Sequence, residues 1–100
     1  MAYTKVAKTG DIKEGSGTCV SVGEKKIALF NVGGTFYAID NTCPHKGGPL
    51  SEGTLTGNDV TCPWHAGVFD VTTGAHVKGP GTNVNKYEVR VEGDDVEVNA

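Results

Sequence analysis

Two short segments of nearly the same make-up constrain this chain more than anything else in it. They are Cys43-Pro44-His45 and, after sixteen intervening residues, Cys62-Pro63-Trp64-His65. Each offers one thiolate-forming side chain and one imidazole. Thiolates suit zinc, Cu(I) and iron–sulfur clusters, and imidazole suits zinc, copper and iron. A fold that uses all four must bring two loops to one centre. Each cysteine is followed by a proline, which fixes φ and removes a backbone donor. Gly47, Gly48 and Gly67 come after the two motif histidines and permit tight loops whose N–H groups approach a bound group closely.

The rest of the chain reads as all-β. Helical periodicity is nearly absent, and short alternating apolar runs are separated by Gly, Asn and Asp. The pattern predicts strands near Tyr3–Ala7, Thr18–Val22, Lys26–Asn31, Thr35–Asp40, Val60–Thr61, Val68–Asp70, Val84–Glu92 and Asp95–Asn99. Val32-Gly33-Gly34 and Glu92-Gly93-Asp94 read as hairpin turns. Val89, Val91, Val96 and Val98 are spaced by two and predict the inward face of one hairpin. From about Asn41 to Gly81 the chain is rich in Gly and Pro, and it holds all but one of the cysteines and every histidine. At 100 residues there is room for one domain with a small core. A loop-rich insert of this kind needs a staple. The expected organisation is a single domain over 1–100, with a subdomain at 41–81 inserted in a β base formed by 1–40 and 82–100.

Charge and cysteine usage narrow the function classes. The formal net charge is −3 and no basic cluster is present, which argues against nucleic acid as a partner. Most of these charges read as a solvated surface that keeps the chain in solution, with steering toward a basic redox partner as the second reading. Three cysteines do not make a disulfide framework. The N-terminal stretch shows neither signal, twin-Arg motif nor membrane-length apolar segment. The default expectation is a reduced cytoplasmic setting without a membrane.

The same four side chains serve other kinds of site. A Cys₂His₂ zinc site takes the same donors, but its common order is Cys, Cys, His, His, whereas here they alternate. Blue copper needs two His, one Cys and usually an axial Met, and the one methionine is Met1. A Cys–His catalytic dyad leaves the second pair unexplained.

C-x-H, sixteen residues, then C-x-x-H resembles the signature of the Rieske [2Fe–2S] family. The flanks match as well: Lys46-Gly47-Gly48-Pro49-Leu50-Ser51-Glu52-Gly53 after the first half, and Ala66-Gly67-Val68-Phe69-Asp70 after the second. The resemblance spans almost the whole chain, and 41–80 carries most of its specificity. It implies the Rieske fold, an antiparallel β-sandwich or barrel base with a small loop-rich cluster-binding subdomain. It also implies one [2Fe–2S] cluster, with Cys43 and Cys62 on the inner iron and His45 and His65 on the outer, electron-accepting iron. Trp64 between two ligands is then an aromatic cover. Pro80, in Gly79-Pro80-Gly81, falls in the loop that shields the cluster. Lys46 abuts a ligand; a solvated side chain or a partner contact are the two readings of it. Cys19 reads as a small apolar strand residue, and His76, without ligand spacing, as a surface or loop histidine.

Departures from the pattern select a branch. Membrane-bound relatives clamp the two loops with a disulfide whose positions align with Gly48 and Trp64. High-potential relatives place Ser and Tyr hydroxyls where Gly67 and Phe69 stand. Fewer hydrogen bonds to the sulfurs imply a lower potential. The resemblance thus implies a soluble, low-potential ferredoxin, an electron carrier and not an enzyme. Its implied partners are a flavin-containing, NAD(P)H-dependent ferredoxin reductase and a terminal Rieske oxygenase. The alternatives are a Rieske-like small subunit of an assimilatory nitrite reductase and a zinc-stabilised interaction module.

Overall fold

The computed structural model describes residues 3–42, 48–64, 67–79 and 82–100. Ten strands are present among them: β1 Tyr3–Lys8, β2 Ser16–Val22, β3 Lys25–Val32, β4 Thr35–Asp40, β5 Thr54–Thr56, β6 Asp59–Thr61, β7 Val68–Asp70, β8 His76–Lys78, β9 Lys86–Glu92 and β10 Asp95–Asn99. A six-stranded sheet has the order β1-β10-β9-β4-β3-β2, and a four-stranded meander has the order β5-β6-β7-β8. β1 and β2, the ends of the larger sheet, approach each other, so it curls toward a barrel. The all-β expectation holds.

The predicted turns at 32–35 and 92–95 form, joining Val32 to Thr35 and Glu92 to Asp95 in register. At the first, Gly33 has φ +60° and Gly34 φ +93°. A two-residue turn that matches strand twist asks for left-handed φ at both positions, which glycine takes without penalty.

β3 explains how the two sheets become one body. Its residues from Ile27 to Asn31 are buried without interruption. Ile27 and Leu29 face a core shared with Ile12, Phe36, Ala38, Val96 and Val98. Ala28 and Phe30 face the other way, into a second core with Ile39, Leu50, Val60, Cys62, Phe69 and Val71. The strand is thus a wall common to both cores, and β4 repeats this with Ala38 on one side and Ile39 on the other. A fully buried Phe contributes about 1.5–3 kcal/mol. Phe30 and Phe69, both 0 % exposed, therefore weld the small sheet to the large one.

Several sequence expectations need correction. β5 and β8 were not predicted, because Thr54-Leu55-Thr56 and His76-Val77-Lys78 are three-residue strands too short to show alternation. Val84 lies outside β9; its N–H donates to Gly74 O at 2.8 Å. Val91 pairs with Val96 on the predicted face but is 47 % exposed while Val96 is 0 %, since β4 pairs with β9 only at Lys86 and Tyr87 and leaves the far end of β9 without a neighbour on that side. Cys19 is on a strand as expected, yet it is exposed and packs into neither core. His76 is a half-buried β8 residue, not a surface or loop one. Its ring is tilted against Phe69 at 5.5 Å.

Candidate metal centre

Of the four ligand candidates, Cys62 lies among the described residues; Cys43, His45 and His65 lie outside them, as do Lys46 and Pro80. What the structure gives is the frame that carries both loops.

The first loop leaves β4 and returns at Pro49, and backbone bonds pinch its base. Thr42 and Pro49 form an antiparallel bridge. Leu50 N–H donates to Asn41 O at 2.7 Å, and Ser51 N–H donates to the Asn41 side-chain oxygen at 2.9 Å. Asn41 N–H donates in turn to Lys26 O at 3.1 Å, which fixes the base to β3. Leu50, 0 % exposed, plugs the loop into the second core. The second loop opens from β6 and closes onto β7, with Cys62 N–H donating to Gly67 O at 2.7 Å. The first base is therefore held by backbone bonds and the Asn41 side chain, and the second by a backbone bond.

Cys62 is 2 % exposed, is a free thiol, and belongs to the same core as Leu50, Val60 and Phe69. Gly48 comes against it across the two loops. A Cβ at position 48 would lie 2.8 Å from Cys62 Sγ and 3.1 and 3.2 Å from ring atoms of Trp64. The close approach of loop one to loop two thus requires a residue without a side chain at 48. It also puts the two positions aligned with the family disulfide side by side, with the Trp64 ring filling the place of the clamp. Trp64 is still 59 % exposed, so it covers one side of the site and offers the other to solvent.

A third segment supports the frame. Asp40, at the end of β4, donates its N–H to Asn85 O at 3.0 Å. Its carboxylate accepts from Asn85 N–H at 3.0 Å and from the Tyr87 hydroxyl at 2.6 Å. Burial first, then the bond and negative charge of Asp40, push the Tyr87 phenol from 10.0 up to about 12. The segment that follows 80–81 is thereby tied to the strand that leads into the first loop. Asn41, Asp40 and Tyr87 carry no motif spacing, and sequence reasoning missed them. Their roles depend on pairings 10, 45 and 47 residues apart. On β8, Val77 is the extra residue where the pairing shifts between Val68–Lys78 and Phe69–His76. Such bulges re-aim a side chain, and Val77 is 49 % exposed.

A two-sheet β fold with one pinched loop leaving each sheet, and a buried thiol at the base of the second, has the frame of a thiolate-bound metal centre. The buried, unpaired sulfur and the side-chain-free cradle opposite it fit a thiolate-bound group. The chain matches the Rieske [2Fe–2S] domain family over residues 2–88. It is 43% identical over 93 residues to the ferredoxin component of a naphthalene 1,2-dioxygenase system from Pseudomonas putida, covering 92% of this chain and 89% of that one. The ferredoxin of carbazole 1,9a-dioxygenase from Nocardioides aromaticivorans superposes with a TM-score of 0.93 at 32% identity, covering 98% and 97% of the two chains. A ferredoxin seen in complex with reduced oxygenase of carbazole 1,9a-dioxygenase superposes at 0.90 with 39% identity, covering 96% and 91%. A nitrite reductase small subunit superposes at 0.85, covering 100% of both chains, at 21% identity, which shows a common fold alone. The chain belongs to the Rieske [2Fe–2S] domain family, and its cofactor is a single [2Fe–2S] cluster. No helix among the described residues is long and apolar enough to cross a membrane.

Proposed function

We propose that this chain is a one-electron carrier of the cytoplasm that takes electrons from a flavin-dependent NAD(P)H reductase and delivers them to a terminal Rieske oxygenase. Cys43, His45, Cys62 and His65 hold the cluster, and 41–81 is its binding subdomain within one domain. When bound, the [2Fe–2S] cluster supplies a reversible one-electron couple. The chain's own residues do the rest. Cys62 offers its sulfur from inside an apolar core, which excludes water from that side. Gly48 lets the loops close. Trp64 screens one flank, while the motif histidines follow in the loops beyond.

The observation that carries this reading is the meeting of Gly48, Cys62 and Trp64 across two loops whose bases are pinched by backbone bonds. Protein purified anaerobically is expected to be coloured, to hold two irons, and to give an EPR signal on reduction that is lost in Cys62→Ser. A colourless protein containing zinc refutes the reading. Reduction by a flavin reductase and reoxidation by an oxygenase of a naphthalene or carbazole system, followed by stopped-flow absorbance, tests the partners.

A further inference from the structure

We infer that Gly74 and Asn83 are positioning residues for electron transfer: they hold residues 83–85 as a strap that closes the core behind Cys62 to water and so keeps the potential low, an inference that rests on the carrier function proposed above. The strap runs from one sheet to the other. On one side it meets the β7–β8 turn and β8. Val84 N–H donates to Gly74 O at 2.8 Å, and His76 N–H donates to the Asn83 side-chain oxygen at 2.8 Å. On the other side it meets the end of β4. Asp40 N–H donates to Asn85 O, and the Asp40 carboxylate accepts from Asn85 N–H, both at 3.0 Å. Three consecutive residues thus join the small sheet to the strand that leads into the first loop.

Between these anchors Val84 packs against the second core, which contains Cys62. Val32, Tyr37 and Leu55 border the same core, but they belong to β3, β4 and β5 and are held by strand pairing. Val84 lies in no strand. Its place depends on the strap.

Gly74 sets how close the strap comes. A Cβ at position 74 would overlap the Val84 carbonyl oxygen and stand 3.3 Å from its carbon. That oxygen is backbone and cannot rotate aside. The turn beneath it is braced from within. The Asp70 carboxylate accepts from the Thr72 N–H at 2.8 Å and from its hydroxyl at 2.6 Å, and Gly74 N–H donates to Asp70 O at 2.7 Å. A side chain at 74 therefore moves the strap and with it Val84. The consequence has a sign. A reduced centre bears one more negative charge than an oxidised one, and water stabilises added charge better than an apolar core does. Solvent exposure is one of the levers on such potentials. An apolar plug behind Cys62 favours the oxidised state, and lifting it raises the potential.

Gly15 supplies the control. Its φ is +79°, the same as at Gly74, but among the described residues nothing lies within 4 Å of a Cβ there. Gly15→Ala carries the backbone strain of Gly74→Ala without the collision. Cluster-loaded proteins are compared by mediated redox titration, EPR and hydrogen–deuterium exchange. Both substitutions should lower the melting temperature. Gly74→Ala is expected to raise the potential and to speed exchange of the Asn85 amide roughly tenfold, and Gly15→Ala to move neither. Asn83 is exposed, so Asn83→Ala leaves both cores intact and keeps the test open should Gly74→Ala not fold. It is expected to shift both readouts in the same direction by less, while Asn83→Asp, which keeps the acceptor, retains the exchange rate of the unaltered protein. Val84→Ala should raise the potential with little change in Asn85 exchange. An unaltered potential in Asn83→Ala and Val84→Ala overturns the inference, as does an equal shift in Gly15→Ala and Gly74→Ala. Absence of a reversible one-electron couple and of an EPR signal in the unaltered protein overturns the carrier reading and this inference with it.

Discussion

Replacing Gly48 by alanine adds one methyl group, and the structure dictates where it goes. Its carbon would stand 2.8 Å from Cys62 Sγ and 3.1 Å from the nearest Trp64 ring atom, each well inside the roughly 3.5–4.0 Å at which carbon-sized atoms attract. The two neighbours differ in how they can respond. Trp64 is 59 % exposed, whereas Cys62 is 2 % exposed and backed by Leu50, Val60 and Phe69. The sulfur must move or the first loop must lift. Overpacking of this kind costs about 1–3 kcal/mol, and here it falls on a proposed ligand. Gly48→Ala is therefore expected to lower cluster content per chain and to lower the melting temperature. Adding Trp64→Ala should restore neither, because the clash with sulfur remains. Iron content, visible absorbance and thermal melting on anaerobic preparations measure this. A Gly48→Ala protein with full cluster content and unchanged melting temperature would show that the loops do not meet as described.

Phe69→Tyr adds a hydroxyl inside the second core, where Phe69 is 0 % exposed. A bond to a sulfur is worth about 1 kcal/mol, so the potential should rise by tens of millivolts; an unchanged or lowered potential with the cluster intact by EPR refutes the alignment with high-potential relatives. Asn41→Ala removes the acceptor for Ser51 N–H and is expected to cost about 1–2 kcal/mol and to speed cluster loss during dilution in chelator; wild-type loss kinetics would show that the loop base is held without it. Tyr87, raised to about 12 from 10.0, keeps its proton more firmly folded than unfolded. Its contribution is complete below pH 10 and is lost as pH rises toward 12, so Tyr87→Phe should flatten the fall of melting temperature over that window; an identical slope in both proteins contradicts the Asp40–Tyr87 bond.

The chemistry of this protein was legible in its sequence because it resides in residue types and short spacings. Cys43, His45, Cys62 and His65 declare their donors by kind, and the two-residue spacing of Val96 and Val98 declares an inward strand face, which β10 bears out. The turns at Gly33-Gly34 and Gly93-Asp94 were legible for the same reason, since a tight turn depends on the few residues within it. What escaped depends on partners far along the chain. β5 and β8 are strands only because β6 and β7 hydrogen-bond to them; three residues alone carry no period. Val91 keeps its face yet loses its burial, because the extent of the core is a property of the whole hairpin and its neighbours. Only the tertiary structure reveals that β3 walls two cores, that Gly48 is small because Cys62 and Trp64 crowd it, and that Asp40 and Asn41 fasten the loop that carries Cys43.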